Sequence, residues 1–185
     1  MNELVNPTAT SPTEILLLTK RWVGEMGKRS RFVELQDRDG LRGAVLVVDH
    51  LGWKVFIQER SRCILVTVIV DIPRALVEKV SSMPEPIQSR LECNLRIELT
   101  SNARTAYTLR PSQAQHLSSL RRMTVEQLIR VSEDDPSSFN RLVDAIQEVV
   151  TTATRASSVL TPFLPKDDDE SAGLSDDDAT LGMYV

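Results

Sequence analysis

Few side chains in this 185-residue chain are of types suited to chemistry, and their spacing keeps them apart. The two histidines are His50, in a turn between strand-like runs, and His116, in a polar linker. Neither has a Cys, Asp or Glu at metal-ligand spacing, so both read as solvated loop residues. Cys63 and Cys93 show no C-x-x-C spacing and read as buried reduced thiols. Asp37-Arg38-Asp39-Gly40 offers two ligands and the glycine of a calcium loop. Leu35 stands where that loop's first ligand belongs, however, and Leu46 where its bidentate glutamate belongs, which excludes an EF-hand. Asp134-Asp135 reads as a helix cap, not a carboxylate dyad. There is no G-x-S-x-G, G-x-G-x-x-G or P-loop. The expectation is a protein that is not an enzyme, with no catalytic residues, no metal and no cofactor.

Charge is the second source of function. Residues 166–185 hold Lys166 against Asp167, Asp168, Asp169, Glu170, Asp176, Asp177 and Asp178, a net −6. The whole chain is −4, so the rest of it carries +2. Arg29, Arg31, Arg60, Arg62, Arg121 and Arg122 form small basic clusters. Aromatic residues are only 4% of the chain, and Trp22, Trp53, Phe56 and Phe139 fall on apolar faces expected to be core. Little is left for stacking bases, so a nucleic-acid-binding regulator is the weaker reading.

These residues must be held by an α+β framework. Residues 1–11 are polar and read as a disordered N-terminus, 12–164 as the folded domain, and 165–185 as a disordered acidic tail. Ser11-Pro12-Thr13-Glu14 looks like a helix start, with Ser11 as the cap and Ile15, Leu18, Trp22 and Met26 on one face. Ala44–Val48, Trp53–Glu59 and Cys63–Val70 read as strands joined by turns at Asp49–Gly52 and Arg60–Arg62, an antiparallel meander. Pro73 opens a helical stretch that restarts around Pro84 and Pro86. Ala106–Leu109 and Met123–Val131 are strand candidates, with helix open as an alternative for the second. Asp135-Pro136 opens a long helix whose apolar face includes Phe139, Leu142, Ile146, Val149, Val150 and Ala153. The order α-βββ-α-ββ-α predicts a mostly antiparallel sheet of about five strands with flanking helices.

That order resembles the type III secretion chaperone-like fold, with its YbjN-like proteins and a group of archaeal members nearest in pattern. The likeness lies in the first helix with Trp22, the strands ending at Asp71-Ile72-Pro73, and Leu95-Arg96-Ile97-Glu98-Leu99. It continues from Arg130-Val131 through Glu133-Asp134-Asp135-Pro136 into Phe139-Asn140-Arg141-Leu142-Val143. The resemblance implies a homodimeric, chaperone-like adaptor without a catalytic site. Gly182-Met183-Tyr184-Val185 is similar to the hydrophobic-Tyr-X ending of proteasome activators. That likeness implies docking on the 20S proteasome α-ring, with Met183 as the hydrophobic residue, Tyr184 as the tyrosine and Val185 as the carboxylate donor.

Two further expectations come from the apolar runs. None approaches the roughly 18 residues of a membrane helix, and Met1–Ser11 has no signal-peptide core, so no membrane association and a cytoplasmic location are expected. Ala44–Val48 and Cys63–Val70 are apolar at nearly every position, so both faces of the sheet need cover. A second copy, a partner segment or the chain's own helices could supply it.

Overall fold

The computed structural model describes residues 13–36, 42–60, 63–111 and 117–164. Their order is α1 (Glu14–Glu25), β1 (Ser30–Gln36), β2 (Arg42–His50), β3 (Trp53–Arg60), β4 (Cys63–Asp71), α2 (Arg74–Ser81), α3 (Glu85–Thr100), β5 (Ala106–Arg110), β6 (Arg122–Ile129) and α4 (Ser138–Leu160). Single turns of 3-10 helix occupy Leu117–Ser119 and Thr161–Phe163. The six strands form one sheet in the order β1-β2-β3-β4-β6-β5, and every neighbouring pair is antiparallel. The fold is therefore α+β with flanking helices, as the element order predicts. None of the described helices is long and apolar enough to cross a membrane.

The strand beyond the expected five is β1. Its apolar residues do not alternate cleanly, so the two-residue period gives it little signal. Pairing with β2 holds it, from Ser30 opposite Val48 to Gln36 opposite Arg42. The β2–β3 connection is a two-residue turn in which Leu51 and Gly52 both take positive φ, 49° and 80°. That left-handed pair matches the twist of a hairpin. The 122–129 segment is a strand, and its alternative as a helix is excluded.

Strand alternation divides the sheet into two faces. On the first lie Leu46 and Val48 of β2, Val55 and Ile57 of β3, Ile64, Val66 and Val68 of β4, and Met123, Val125 and Ile129 of β6. These side chains form one buried cluster with Leu16 and Val23 of α1, Leu76 and Val80 of α2, Leu91, Leu95 and Leu99 of α3, and most of the apolar stripe of α4. All four helices thus contribute to a single core on one side of the sheet. Trp22 of α1 meets Phe139 of α4 edge to face, with ring centroids 6.3 Å apart. Lys20 sits 4.8 Å over the Phe32 ring and ties α1 to β1.

Two helix starts differ from expectation. Thr13 caps α1 by accepting from Leu16 N–H at 3.3 Å. The buried face is accordingly Leu16, Thr19, Trp22 and Val23, with Ile15, Leu18 and Met26 at its margin. Ser11 and Pro12 lie outside the described residues. At the other helix, Asp135 does not cap. Its carboxylate accepts from Ser137 N–H at 2.9 Å and from Ser137 Oγ–H at 2.7 Å, and pairs with Arg141. The chain turns there, and α4 begins at Ser138, whose wholly buried Oγ accepts from Ser132 N–H at 3.0 Å.

Hydrogen bonds from Ser137 and then Arg141 hold the Asp135 carboxyl down to about 2. That is below the unfolded-chain value near 4. The contribution to stability is therefore full above about pH 4 and is lost as pH falls from about 4 toward 2. Asp135→Asn keeps an acceptor without the charge, so it should flatten the fall of the thermal midpoint across that window. Circular dichroism melts at several pH values check this, and an unchanged acid limb would count against the assignment.

Candidate protein-binding face

The second face of the sheet carries the other half of each strand. One cross-strand row runs Arg31, Val47, Phe56, Thr67, Glu126, Ala106. Beside it, Val33 pairs with Val45, and Gln58 leads through Leu65 to Leu128. On the other side Asp49 pairs with Lys54, and Ile69 leads through Thr124 to Thr108. The last row is Asp71, Arg122, Arg110. Val45, Val47 and Leu65 are only 2%, 6% and 8% exposed, yet none belongs to the cluster that the helices pack. The buried side chains of the described helices cluster with the first face and not with these three.

Three features give this face its chemistry. The first is an apolar patch, centred on Val47, Phe56 and Leu65 and continued by Leu128, which is 60% exposed beside its partner Leu65. Phe56, expected in the core, lies here, half-buried. The second is Thr67 at the centre of the patch. It is 8% exposed, and its Oγ1 has no hydrogen-bond partner. A buried hydroxyl left unpaired costs about 1–3 kcal/mol, so this position favours a ligand that can hydrogen-bond.

The third is charge. Arg29, whose carbonyl accepts from Asp49 N–H at 3.0 Å, joins Arg31, Lys54, Arg110 and Arg122 at the end of the face nearest the β2–β3 turn. Asp49 and Asp71 are the carboxylates among them. Lys54 Nζ lies 2.5 Å from Asp49, and Arg122 Nε lies 2.6 Å from Asp71. The Lys54 hydrogen bond, followed by the fields of Arg31 and Arg29, lowers the Asp49 carboxyl below its ordinary range. With Arg60 and Glu126 included, the described residues of this face hold six cationic side chains and three anionic ones.

The residues singled out in the sequence are scattered relative to this face. Gly182, Met183, Tyr184 and Val185 lie outside the described residues, as do Asp37, Asp39, Gly40, Arg62 and His116. His50 is not a free loop histidine. It ends β2, with Nε2 3.3 Å from Gln147 Oε1 on α4 and Nδ1 buried without a partner. Trp53 Nε1–H donates to Thr154 Oγ1 at 3.0 Å and pins the same hairpin to α4. Cys63 is half-buried at the start of β4. Cys93 is exposed on α3, not buried as expected, because the helix turns Leu91, Leu95 and Leu99 to the core. Among the described residues, no three His, Cys, Asp or Glu side chains gather as a metal site would require. Sequence reasoning took the arginines as small, separate clusters. Their convergence on one face follows from strand register, which spacing along the chain does not reveal.

No protein-family model matches the chain. No curated protein matches it either. Among solved structures, it is similar to an uncharacterised protein from Methanothermobacter thermautotrophicus, with a TM-score of 0.60 and 15% identity, over 79% of this chain and 96% of that one. It is also similar to YbjN from E. coli, with a TM-score of 0.48 and 14% identity, over 83% of this chain and 97% of that one. The archaeal likeness shows a shared fold.

The two faces should respond differently to substitution. Ile57→Ala, on the helix-covered face, should cost about 2–5 kcal/mol. Leu128→Lys, on the second face, should change stability by less than about 0.5 kcal/mol. Urea denaturation of both variants checks this, and a Leu128→Lys protein as damaged as Ile57→Ala would mean that the second face is packed.

Proposed function

We propose that this chain is a non-catalytic, chaperone-like protein-binding module that holds an extended, acidic and apolar peptide segment against the second face of its sheet. The observation that carries the reading is the buried, unpartnered hydroxyl of Thr67 inside an apolar patch that lies outside the helix-packed cluster. An extended segment suits such a face. Its alternate apolar side chains would lie on Val47, Phe56, Leu65 and Leu128, its peptide groups would reach Thr67, and its carboxylates would meet Arg31, Lys54 and Arg122. A second copy could cover the same rows, in keeping with the homodimer that the fold resemblance implies. The narrower reading, docking of Met183-Tyr184-Val185 on a proteasome ring, rests on the types of those three residues alone.

A second reading has one observation in its favour. Arg29, Arg31, Lys54, Arg110 and Arg122 share a sheet face with the aromatic ring of Phe56, which is the kind of surface that tracks a single-stranded nucleic acid. One ring and partly neutralised cations make a poor stacking platform, and such binding would fade steeply as salt rises.

One titration separates the readings. Full-length protein is offered fluorescent acidic–apolar peptides and a single-stranded oligonucleotide at physiological salt. Peptide binding should exceed oligonucleotide binding, and Phe56→Ala should weaken it by about tenfold or more, the expected effect of losing one buried aromatic contact. Oligonucleotide binding that survives physiological salt and is lost in Arg31→Ala and Arg122→Ala, with no peptide bound, would overturn the proposal in favour of the second reading.

A further inference from the structure

We propose that two copies of this chain join edge to edge through β1, which pairs antiparallel with the β1 of a second copy about a two-fold axis at Val33. The contact lies at the rim of the sheet, apart from the peptide face proposed above, and goes beyond that reading.

Backbone geometry opens the edge. β1 is an end strand of the sheet, seven residues long. Asp49 N–H donates to the Arg29 carbonyl at 3.0 Å, and the β1–β2 register continues to those two residues as an opposed pair. Hydrogen-bonded positions alternate along an antiparallel ladder, so Arg29, Arg31, Val33 and Leu35 turn their peptide groups toward β2. Ser30, Phe32, Glu34 and Gln36 turn theirs outward, where no described strand pairs with them. Such an edge is a template for another strand.

Side-chain type selects the occupant and its register. Outward peptide groups of two copies meet only when even-numbered positions oppose even-numbered ones, so the axis falls on a residue. An axis at Arg31 sets Arg31 against its own copy, and one at Glu34 sets two carboxylates together. An axis at Phe32 crowds the two Lys20 ammoniums, because each sits 4.8 Å over its own Phe32 ring. An axis at Val33 sets Val33 against itself and puts Glu34 of each copy opposite Phe32 of the other. Opposed residues share a sheet face, so the Glu34 carboxylate arrives beside the Lys20 ammonium, twice by symmetry. Lys20 and Glu34 are both exposed, and neither has an ion-pair partner among the described residues. This register also pairs the whole strand, with Ser30 opposite Gln36 at its ends. On the outer stripe of α1, Leu17 lies three residues from Lys20, is 50% exposed and adds apolar surface. The axis stands normal to the sheet, so the second faces of the two copies lie side by side and stay open to a peptide.

The experiment is sedimentation equilibrium on the full-length protein and its charge variants. The native chain should show about twice its 20.7 kDa mass at micromolar concentration. Lys20→Glu and Glu34→Lys should each raise the dissociation constant about tenfold or more, and the double variant, which restores opposed charges, should recover the dimer. In a Cys63→Ser, Cys93→Ser background, oxidised Val33→Cys should cross-link two copies, because residues on the axis lie about 4.5 Å apart in Cα. Ser30→Cys, about 20 Å from its copy, should not. A native chain that stays monomeric would overturn the proposal, as would a dimer indifferent to both single charge reversals. An acidic–apolar peptide that shifts the amides of Ser30–Glu34 in a monomeric chain would give the edge to a peptide and overturn it equally.

Discussion

Successive side chains of a strand point to opposite faces, and β2 and β4 are apolar on both. That constraint organises the rest of the molecule. Leu46 and Val48 go one way and Val45 and Val47 the other; Ile64, Val66 and Val68 go one way and Leu65 the other. Four helices share a single cluster with the first set. Packed there, they share one buried core with it, and the contacts from Trp53 to Thr154 and from Trp22 to Phe139 tie α4 to β3 and to α1. The second set is left with Phe56 and Leu128 as neighbours. Val45, Val47 and Leu65 are buried, but Leu128 is 60% exposed, and covering a side chain of that size is worth about 1.5–3 kcal/mol.

In the proposed reading, electrostatics selects the cover. Cationic residues from β1, β3, β5 and β6 meet at one end of the same face although they are distant in sequence. Asp49 and Asp71 neutralise part of that charge through short contacts with Lys54 and Arg122. These exposed pairs add little stability. In the proposed reading their larger effect is on partner choice, because apolar contact alone would accept many segments and a cationic rim favours acidic ones.

Much of the framework was legible in the sequence because it is written in local signals. The two-residue period placed β3, a continuous apolar run placed β4, the 3.6-residue period placed α4, and Pro84 marked the break between α2 and α3. The losses were of three kinds. β1 lacks alternation and exists through its partner strand, a long-range fact. The start of α4 was displaced because Asp135 has a better use for its carboxylate in the Ser137 turn. The face itself was foreseen as a need for cover, but its charge was not. Arg29 and Arg122 are 93 positions apart and come together only through the register of a six-stranded sheet. Likewise, Thr67 is a lone polar residue in an apolar run, and that its buried hydroxyl has no partner is visible only in the folded chain.

The central claim is that the helices own one face of this sheet and protein segments the other. A photo-crosslinking pair tests it most directly. Benzoylphenylalanine is placed at Phe56, on the second face, or at Tyr107, on the first, in the full-length protein, and the products are mapped by mass spectrometry. The account expects Tyr107 adducts on the chain's own packed core, and Phe56 adducts on an added acidic–apolar peptide. Phe56 adducts on α1, α3 or α4 would contradict it, because the face assigned to partners would then be packed by the helices.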